Sequence, residues 1–139
     1  MDTSNRPATL VRSLRYADLR GRIVNPARLL AWALASAIVI LSIVPPLLRP
    51  ETPLPHDLEH FGIFWAAGFT FALGYTCRDA VLPSMLVIFA GTVEIAQLFV
   101  PGRHARLSDF IVDALAISAG LASVLMMDWI CARLVTSAT

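Results

Sequence analysis

Long apolar stretches alternate with short polar connections along most of this chain. The apolar stretches cover residues 28–48, 59–77, 80–100 and 108–133. Each reaches or nearly reaches the roughly 20 residues that a helix needs to cross the hydrocarbon core of a bilayer. We therefore predict an all-α fold in which four transmembrane helices form an integral membrane bundle.

The connections between these stretches are too short to hold a further domain. The predicted organisation is a basic N-terminal arm over 1–27, a four-helix domain over 28–133 and a tail over 134–139. The first stretch is long for the apolar part of a secretory signal, and Pro45 and Pro46 stand where a cleavage site would need small residues. We read it as a retained span, so any chemistry must be built from helix ends and loops.

The composition agrees with a membrane protein. Hydrophobic residues make up 57% of the chain, and the mean hydropathy is +0.69. A soluble domain has roughly half of its residues apolar. We expect membrane lipids as partners and no nucleic acid.

The basic residues, all of which are arginine, set the predicted orientation. Six of them precede or open the first apolar stretch: Arg6, Arg12, Arg15, Arg20, Arg22 and Arg28. The positive-inside rule places this arm in the cytoplasm, and four spans return the C-terminus to the same side. Three other arginines then oppose the rule by falling outside: Arg49, Arg103 and Arg106.

Polar and ionisable side chains gather at the predicted outer ends of the helices. The candidate pocket residues are His60, Glu94, Gln97, Arg103, Arg106, Asp109 and Asp113. Such residues are costly within a bilayer and are functional candidates for that reason. From the rise of a helix, Glu94 lies roughly 9 Å inside the predicted end of the third helix at Val100. Asp113 lies roughly 7.5 Å inside the predicted start of the fourth helix at Ser108. These depths predict a polar pocket near the outer face.

Smaller features predict how the helices pack and which compartment the thiols face. Ala116 and Gly120 continue the stripe below Asp113, and small residues at this spacing let helices approach closely in lipid.

Cys77 and Cys131 fall at cytoplasmic ends, where we expect reduced thiols. Residues 9–20 could form an amphipathic helix on the inner leaflet or an unstructured tether.

Several motifs resemble the VanZ-like family of small polytopic membrane proteins over about residues 30–125. They are Asp57-Leu58-Glu59-His60-Phe61, Glu94-Ile95-Ala96-Gln97, Pro101-Gly102-Arg103, Ser108-Asp109 and Gly120. The resemblance implies a bacterial inner-membrane protein of the cell envelope and, for the founding member, resistance to the glycopeptide antibiotic teicoplanin. It implies no reaction. This chain departs from the family pattern with His56 in place of an acidic residue, Asp113 in place of asparagine and Ala116 in place of glycine.

A zinc site is the sharpest chemical alternative at the start of the second helix. His56 and His60 fit the H-x-x-E-H pattern with Glu59 as general base. A third ligand would come from Glu94, Asp109 or Asp113. A five-residue match arises easily by chance, and His56 and Asp57 equally suit a capped, solvated helix start with Pro55 in its first turn. We expect no metal and no cofactor.

The charged residues of the pocket leave two arrangements open. Arg103 and Arg106 suit a phosphate or carboxylate at the outer leaflet, or Arg103 pairs internally with Glu94 or Asp109. Glu94 either serves as an acid or base in its apolar helix, or pairs with Arg103 or His60 and stays ionised.

Two classes of function follow. In the first, the protein is a non-enzymatic envelope factor whose extracytoplasmic pocket binds an anionic lipid headgroup, a lipid-linked precursor or a glycopeptide antibiotic. In the second, it is an intramembrane hydrolase or transferase that uses Glu94 and His60 in acid-base roles, with Arg103 stabilising negative charge, and with or without a metal. The first is favoured because the chain has no nucleophile or cofactor motif. A transporter is disfavoured because the cytoplasmic halves of the helices lack matching polar residues.

Overall fold

The computed structural model of this chain describes residues 8–45, 55–75, 80–102 and 106–136. These residues contain four helices and no strand, which confirms the prediction of an all-α fold. The helices are α1 (Ala8–Ile43), α2 (His56–Gly74), α3 (Val81–Gln97) and α4 (Leu107–Thr136).

Two helices are long and apolar enough to cross a membrane. The segments that meet this criterion are Asp18–Ile43 in α1 and Leu107–Leu134 in α4. Helix α3, Val81–Gln97, is apolar but shorter.

Helix α1 differs most from its predicted bounds. It begins at Ala8 and continues across the predicted end of the arm, with Pro26 inside the helix. A proline in this position removes one hydrogen bond of the helix but does not always end it. At its other end α1 stops at Ile43, short of the predicted residue 48. Pro45 disfavours a helical backbone at the residue before it, and Pro46 follows directly.

Helix α2 begins immediately after a proline. Pro55 has φ −55° and ψ 138°, and its carbonyl oxygen accepts hydrogen bonds from the backbone nitrogens of Leu58 and Glu59 at 3.0 and 3.2 Å. The apolar stretch was predicted from about Glu59, while the polar residues from His56 were placed at the start of the same helix, and the helix does begin at His56. At the other end, the Tyr75 nitrogen donates to the Phe71 oxygen at 2.8 Å and closes the helix.

Helices α2 and α4 pack backbone against backbone. A Cβ atom added at Gly120 would overlap the Trp65 carbonyl and lie 2.7 Å from the Phe69 nitrogen. A Cβ atom added at Gly68 would lie 2.5 Å from the Ile117 carbonyl oxygen. Ala116 is fully buried. The predicted close approach along Ala116 and Gly120 is therefore confirmed, and Gly68 is its partner on α2.

The outward faces of the helices carry large apolar side chains. Examples with more than half of their surface exposed are Leu29 and Ile40 on α1, Met85 and Ile88 on α3, and Leu115 and Met126 on α4. Apolar patches of this extent are unusual on a soluble monomer and mark contact with lipid or with another protein.

Candidate functional site

Four of the predicted pocket residues lie buried at one end of helices α2, α3 and α4. His60 comes from α2, Glu94 and Gln97 from α3, and Asp113 from α4, and none has more than 6% of its surface exposed. We call these four residues the polar cluster. Polar groups buried without partners are unfavourable. The contacts within this cluster therefore show which polar atoms are satisfied and which are available to a ligand.

An imidazole and a carboxylate form the centre of the polar cluster. The Nδ1 atom of His60 lies 3.1 Å from an Oδ1 atom of Asp113, which has no exposed surface. The ring of His60 also stacks on that of Phe64 at 6.1 Å between centroids. The ring is therefore fixed by a hydrogen bond on one side and by packing on its face.

Glu94 joins α3 to the start of α4. Its Oε1 atom accepts a hydrogen bond of 2.7 Å from the backbone nitrogen of Arg106. The Arg106 carbonyl in turn accepts hydrogen bonds from the backbone nitrogens of Asp109 and Phe110. Glu94 also lies within electrostatic range of His60 and Asp113. This carboxylate therefore sits where the loop after α3 turns into α4.

Three buried atoms of the polar cluster have no hydrogen-bond partner among the described residues. They are Oε2 of Glu94, Nε2 of Gln97 and Oδ2 of Asp113. Leaving a buried polar atom unpaired costs about 1–3 kcal/mol. Two acceptors and one donor at the same end of the bundle make this a place where a group with hydroxyl, ammonium or amide donors would be stabilised.

The remaining predicted pocket residues lie at the rim or outside the described residues. Asp109 is half-buried and accepts a hydrogen bond of 3.0 Å from the Ser108 hydroxyl. Arg106 is exposed, and its guanidinium forms no ion pair with any carboxylate that the structure describes. Arg106 contacts Glu94 through its backbone nitrogen, and sequence patterns do not reveal a contact of this kind. Arg103, and hence its predicted pairing with Glu94 or Asp109, lies outside the described residues.

No metal site is found within the described part of the chain. No group of three or more His, Cys, Asp and Glu side chains there is placed to hold an ion. The side chain of His56, on which the zinc alternative depends, is outside the description. Cys131 is a free, half-buried thiol, and Cys77 also lies outside the described residues.

A second set of polar contacts, which the sequence patterns did not predict, lies at the opposite end of the bundle. Arg20 on α1 forms an ion pair with Asp128 on α4. Arg28 donates from Nε to the carbonyl oxygen of Gly74 at 2.7 Å, and its guanidinium lies 4.8 Å from the centre of the Tyr75 ring. The sequence patterns gave the arginines that precede the first span a role in orientation and in the amphipathic alternative for residues 9–20, but no contact with other helices. Some of them also join the helices.

Comparison with family models, with curated proteins and with solved structures found no match to this chain. The resemblance to the VanZ-like family therefore stays a prediction that rests on the motifs themselves.

Proposed function

We propose that this chain is a VanZ-like, multi-pass protein of the bacterial inner membrane whose polar cluster binds the headgroup of an envelope lipid or lipid-linked precursor. The observation that carries the proposal is the set of three buried, unpartnered atoms on Glu94, Gln97 and Asp113. Buried polar groups in proteins nearly always have partners, so an unpaired set points to a ligand or to an ordered solvent molecule.

The membrane part of the proposal is supported by the two long apolar helices and by the apolar outward faces of α1, α3 and α4. The arginine-rich N-terminal part of α1 favours a cytoplasmic N-terminus. If all four helices cross the bilayer, the C-terminus is cytoplasmic as well, and the polar cluster faces the extracytoplasmic leaflet.

The chemistry of the cluster indicates which headgroups would fit. The carboxylate oxygens of Glu94 and Asp113 accept hydrogen bonds, and they suit hydroxyl or ammonium groups. The exposed guanidinium of Arg106 suits a phosphate. A headgroup that carries both kinds of group, as lipid-linked sugar phosphates and amine-bearing phospholipids do, matches both. A glycopeptide antibiotic, the third candidate ligand, also carries amines and sugar hydroxyls.

Native mass spectrometry of the detergent-purified protein tests the proposal. We expect the wild type to retain one lipid or lipid-linked molecule, and Glu94→Gln to retain it at least roughly tenfold less, since a hydrogen bond to a charged group contributes about 1.5–3 kcal/mol. The matched control is Glu59→Gln, which makes the same change on half-buried Glu59, outside the cluster. It should retain the ligand as the wild type does.

Two results would contradict headgroup binding at the cluster. One is a wild-type protein that carries no lipid at any detergent concentration at which it stays folded. The other is an equal loss of lipid in Glu94→Gln and Glu59→Gln. This would mean that the overall negative charge at this end of the bundle holds the lipid, and not the polar cluster.

The pairing of His60 with Asp113 favours acid-base catalysis as a second candidate function. A carboxylate that holds an imidazole in one orientation is the arrangement that general bases use, and Glu94 lies within electrostatic range as a further acid or base. Incubation with envelope lipids would then yield a new product in the wild type, by mass, and none in His60→Ala. A stoichiometric metal lost in His60→Ala would also support this candidate.

A further inference from the structure

A cleft at the end of the bundle opposite the polar cluster has no role in the proposed function. It has a volume of about 380 Å³ and lies between helices α1, α2 and α3. Its polar lining comes from Arg20, Arg28 and Tyr75, and its apolar lining includes Val24, Leu82 and Met85.

Arg28 is held in place at this cleft by three contacts. Its Nε atom donates to the Gly74 carbonyl at 2.7 Å, its guanidinium lies over the Tyr75 ring, and its side-chain stem packs on Gly74. The Tyr75 hydroxyl is fixed in turn by the Trp32 indole nitrogen, which donates to it at 2.9 Å. The two terminal nitrogens of Arg28 have no hydrogen-bond partner among the described residues. A fixed guanidinium fork whose two terminal nitrogens keep their N–H donors unused matches the oxygens of a phosphate.

The charge of the cleft comes from Arg28. Arg20 also lines the cleft, but its charge is balanced by Asp128 in the ion pair between α1 and α4. No acidic residue of the described chain lines the cleft. The described lining therefore carries a net positive charge that a single anionic group would balance.

The apolar walls distinguish a lipid from a free phosphate ion. Val81 and Met85 line the cleft and are 64% and 63% exposed, so the cleft continues onto the apolar outer face of α3. An acyl chain attached to a bound phosphate would lie along this face, whereas an inorganic ion would leave it uncovered. Basic pockets between helices on the cytoplasmic side of a membrane are typical sites for anionic lipid headgroups.

We propose that this cleft binds the phosphate of an anionic phospholipid of the inner leaflet, with Arg28 contacting the phosphate oxygens and Met85 contacting an acyl chain. The inference goes beyond the proposed function. The inference rests only on the proposed arrangement of the chain in the inner membrane. It does not depend on ligand binding at the polar cluster, because the cleft and the polar cluster lie at opposite ends of α2.

The test is native mass spectrometry of the full chain in detergent, titrated with phosphatidylglycerol and with phosphatidylcholine of the same acyl chains. We expect the wild type to prefer phosphatidylglycerol by at least roughly fivefold, the equivalent of about 1 kcal/mol for one arginine near anionic lipid. Arg28→Gln should remove this preference. Arg22→Gln is the matched control, because Arg22 lies on the same helix, is exposed, and does not line the cleft.

A second variant keeps the test valid if Arg28→Gln does not fold. Val81→Glu adds a negative charge at the cleft in the first turn of α3, where the helix dipole favours it, and leaves the contacts of Arg28 in place. It should also abolish the preference for phosphatidylglycerol. Lipid retention that depends on Glu94 reports on the polar cluster, and a phosphatidylglycerol preference that depends on Arg28 reports on this cleft, so that failure at one site and failure at the other are separate results.

Two outcomes would overturn the assignment. Equal losses in Arg28→Gln and Arg22→Gln would show a diffuse charge effect. Displacement of phosphatidylglycerol by millimolar inorganic phosphate or glycerol phosphate would show that the cleft binds a free anion, and not a lipid.

Discussion

Asp113 shows how much a single buried residue depends on its partner. It has no exposed surface, and one of its oxygens lies 3.1 Å from Nδ1 of His60 while the other has no partner among the described residues. Removing one member of such a pair leaves the other buried and unsatisfied, which costs more than the hydrogen bond contributes.

Replacing Asp113 with alanine should therefore lower the free energy of unfolding by about 1–3 kcal/mol, because the buried Nδ1 atom of His60 loses this hydrogen bond. Asp113→Asn keeps an oxygen that can accept from Nδ1 of His60, and it should cost less. Asp109→Asn, at the rim of the same end, should have little effect. Thermal unfolding in detergent measures all three, and an equal loss in the alanine and asparagine variants would show that the charge of Asp113, and not its hydrogen bond, stabilises the fold.

The sequence could name the residues of the polar cluster but not their partners. Ionisable residues in apolar helices are rare enough to stand out, which is how His60, Glu94 and Asp113 became candidates. Which of them touch depends on how each helix is rotated about its axis, and tertiary packing sets that rotation. The contact of Glu94 with the main chain of Arg106 could not be predicted either. Every residue except proline carries a backbone N–H, so no sequence pattern marks the one that a carboxylate contacts.

At the scale of helices, the seam between α2 and α4 depends on having no side chain at two positions. Gly68 and Gly120 bring the two backbones into direct contact. In a bilayer, where burial of apolar surface from lipid gains little, such close packing supplies much of the attraction between helices.

We expect Gly120→Ala to separate α2 from α4 and to lower stability by about 1–3 kcal/mol or more, because its Cβ atom would meet backbone atoms that cannot move aside. Gly62→Ala is the control. It lies within α2 and has no heavy atom within 4 Å of an added Cβ, so the change should be neutral or stabilise the helix by roughly 0.5–1 kcal/mol. Unfolding in mixed detergent micelles compares the two. Similar effects at both positions would contradict the packing seam.

Apolar runs predicted the interiors of the helices well and their ends poorly. Helix ends follow local chemistry: Pro55 opens α2, and Pro45 and Pro46 follow the end of α1. The N-terminal turns of α1 carry several arginines, so a criterion of apolar length excluded them. Arginine has a good helix propensity, and the helix continues through these residues.

At the scale of the whole molecule, an ion pair joins the first helix to the last. The side chains of Arg20 and Asp128 are 29% and 32% exposed, so water screens their attraction only in part. Few other contacts hold α1 against α4, whereas α2 packs closely on both.

A double-mutant cycle with Arg20→Gln and Asp128→Asn should give a coupling energy of about 0.2–1 kcal/mol that decreases as salt is added. The Arg22 and Asp18 pair, which lies within α1 and is 75% and 62% exposed, is the reference and should couple more weakly. Unfolding by denaturing detergent at low and high ionic strength provides the energies. A coupling no larger than that of the reference pair would mean that the bundle does not rely on this link.

The unequal lengths of the helices have a further consequence in the proposed membrane arrangement. From the rise per residue, α1 and α4 are about 54 and 45 Å long, whereas α3 is about 26 Å long. The hydrocarbon core is about 30 Å thick, so lipids beside α3 must compress, at a fraction of a kcal/mol per Å of mismatch. This local thinning of the bilayer would bring the outer headgroups along α3 closer to the level of Glu94. It would shorten the distance that a headgroup has to travel to reach the polar cluster.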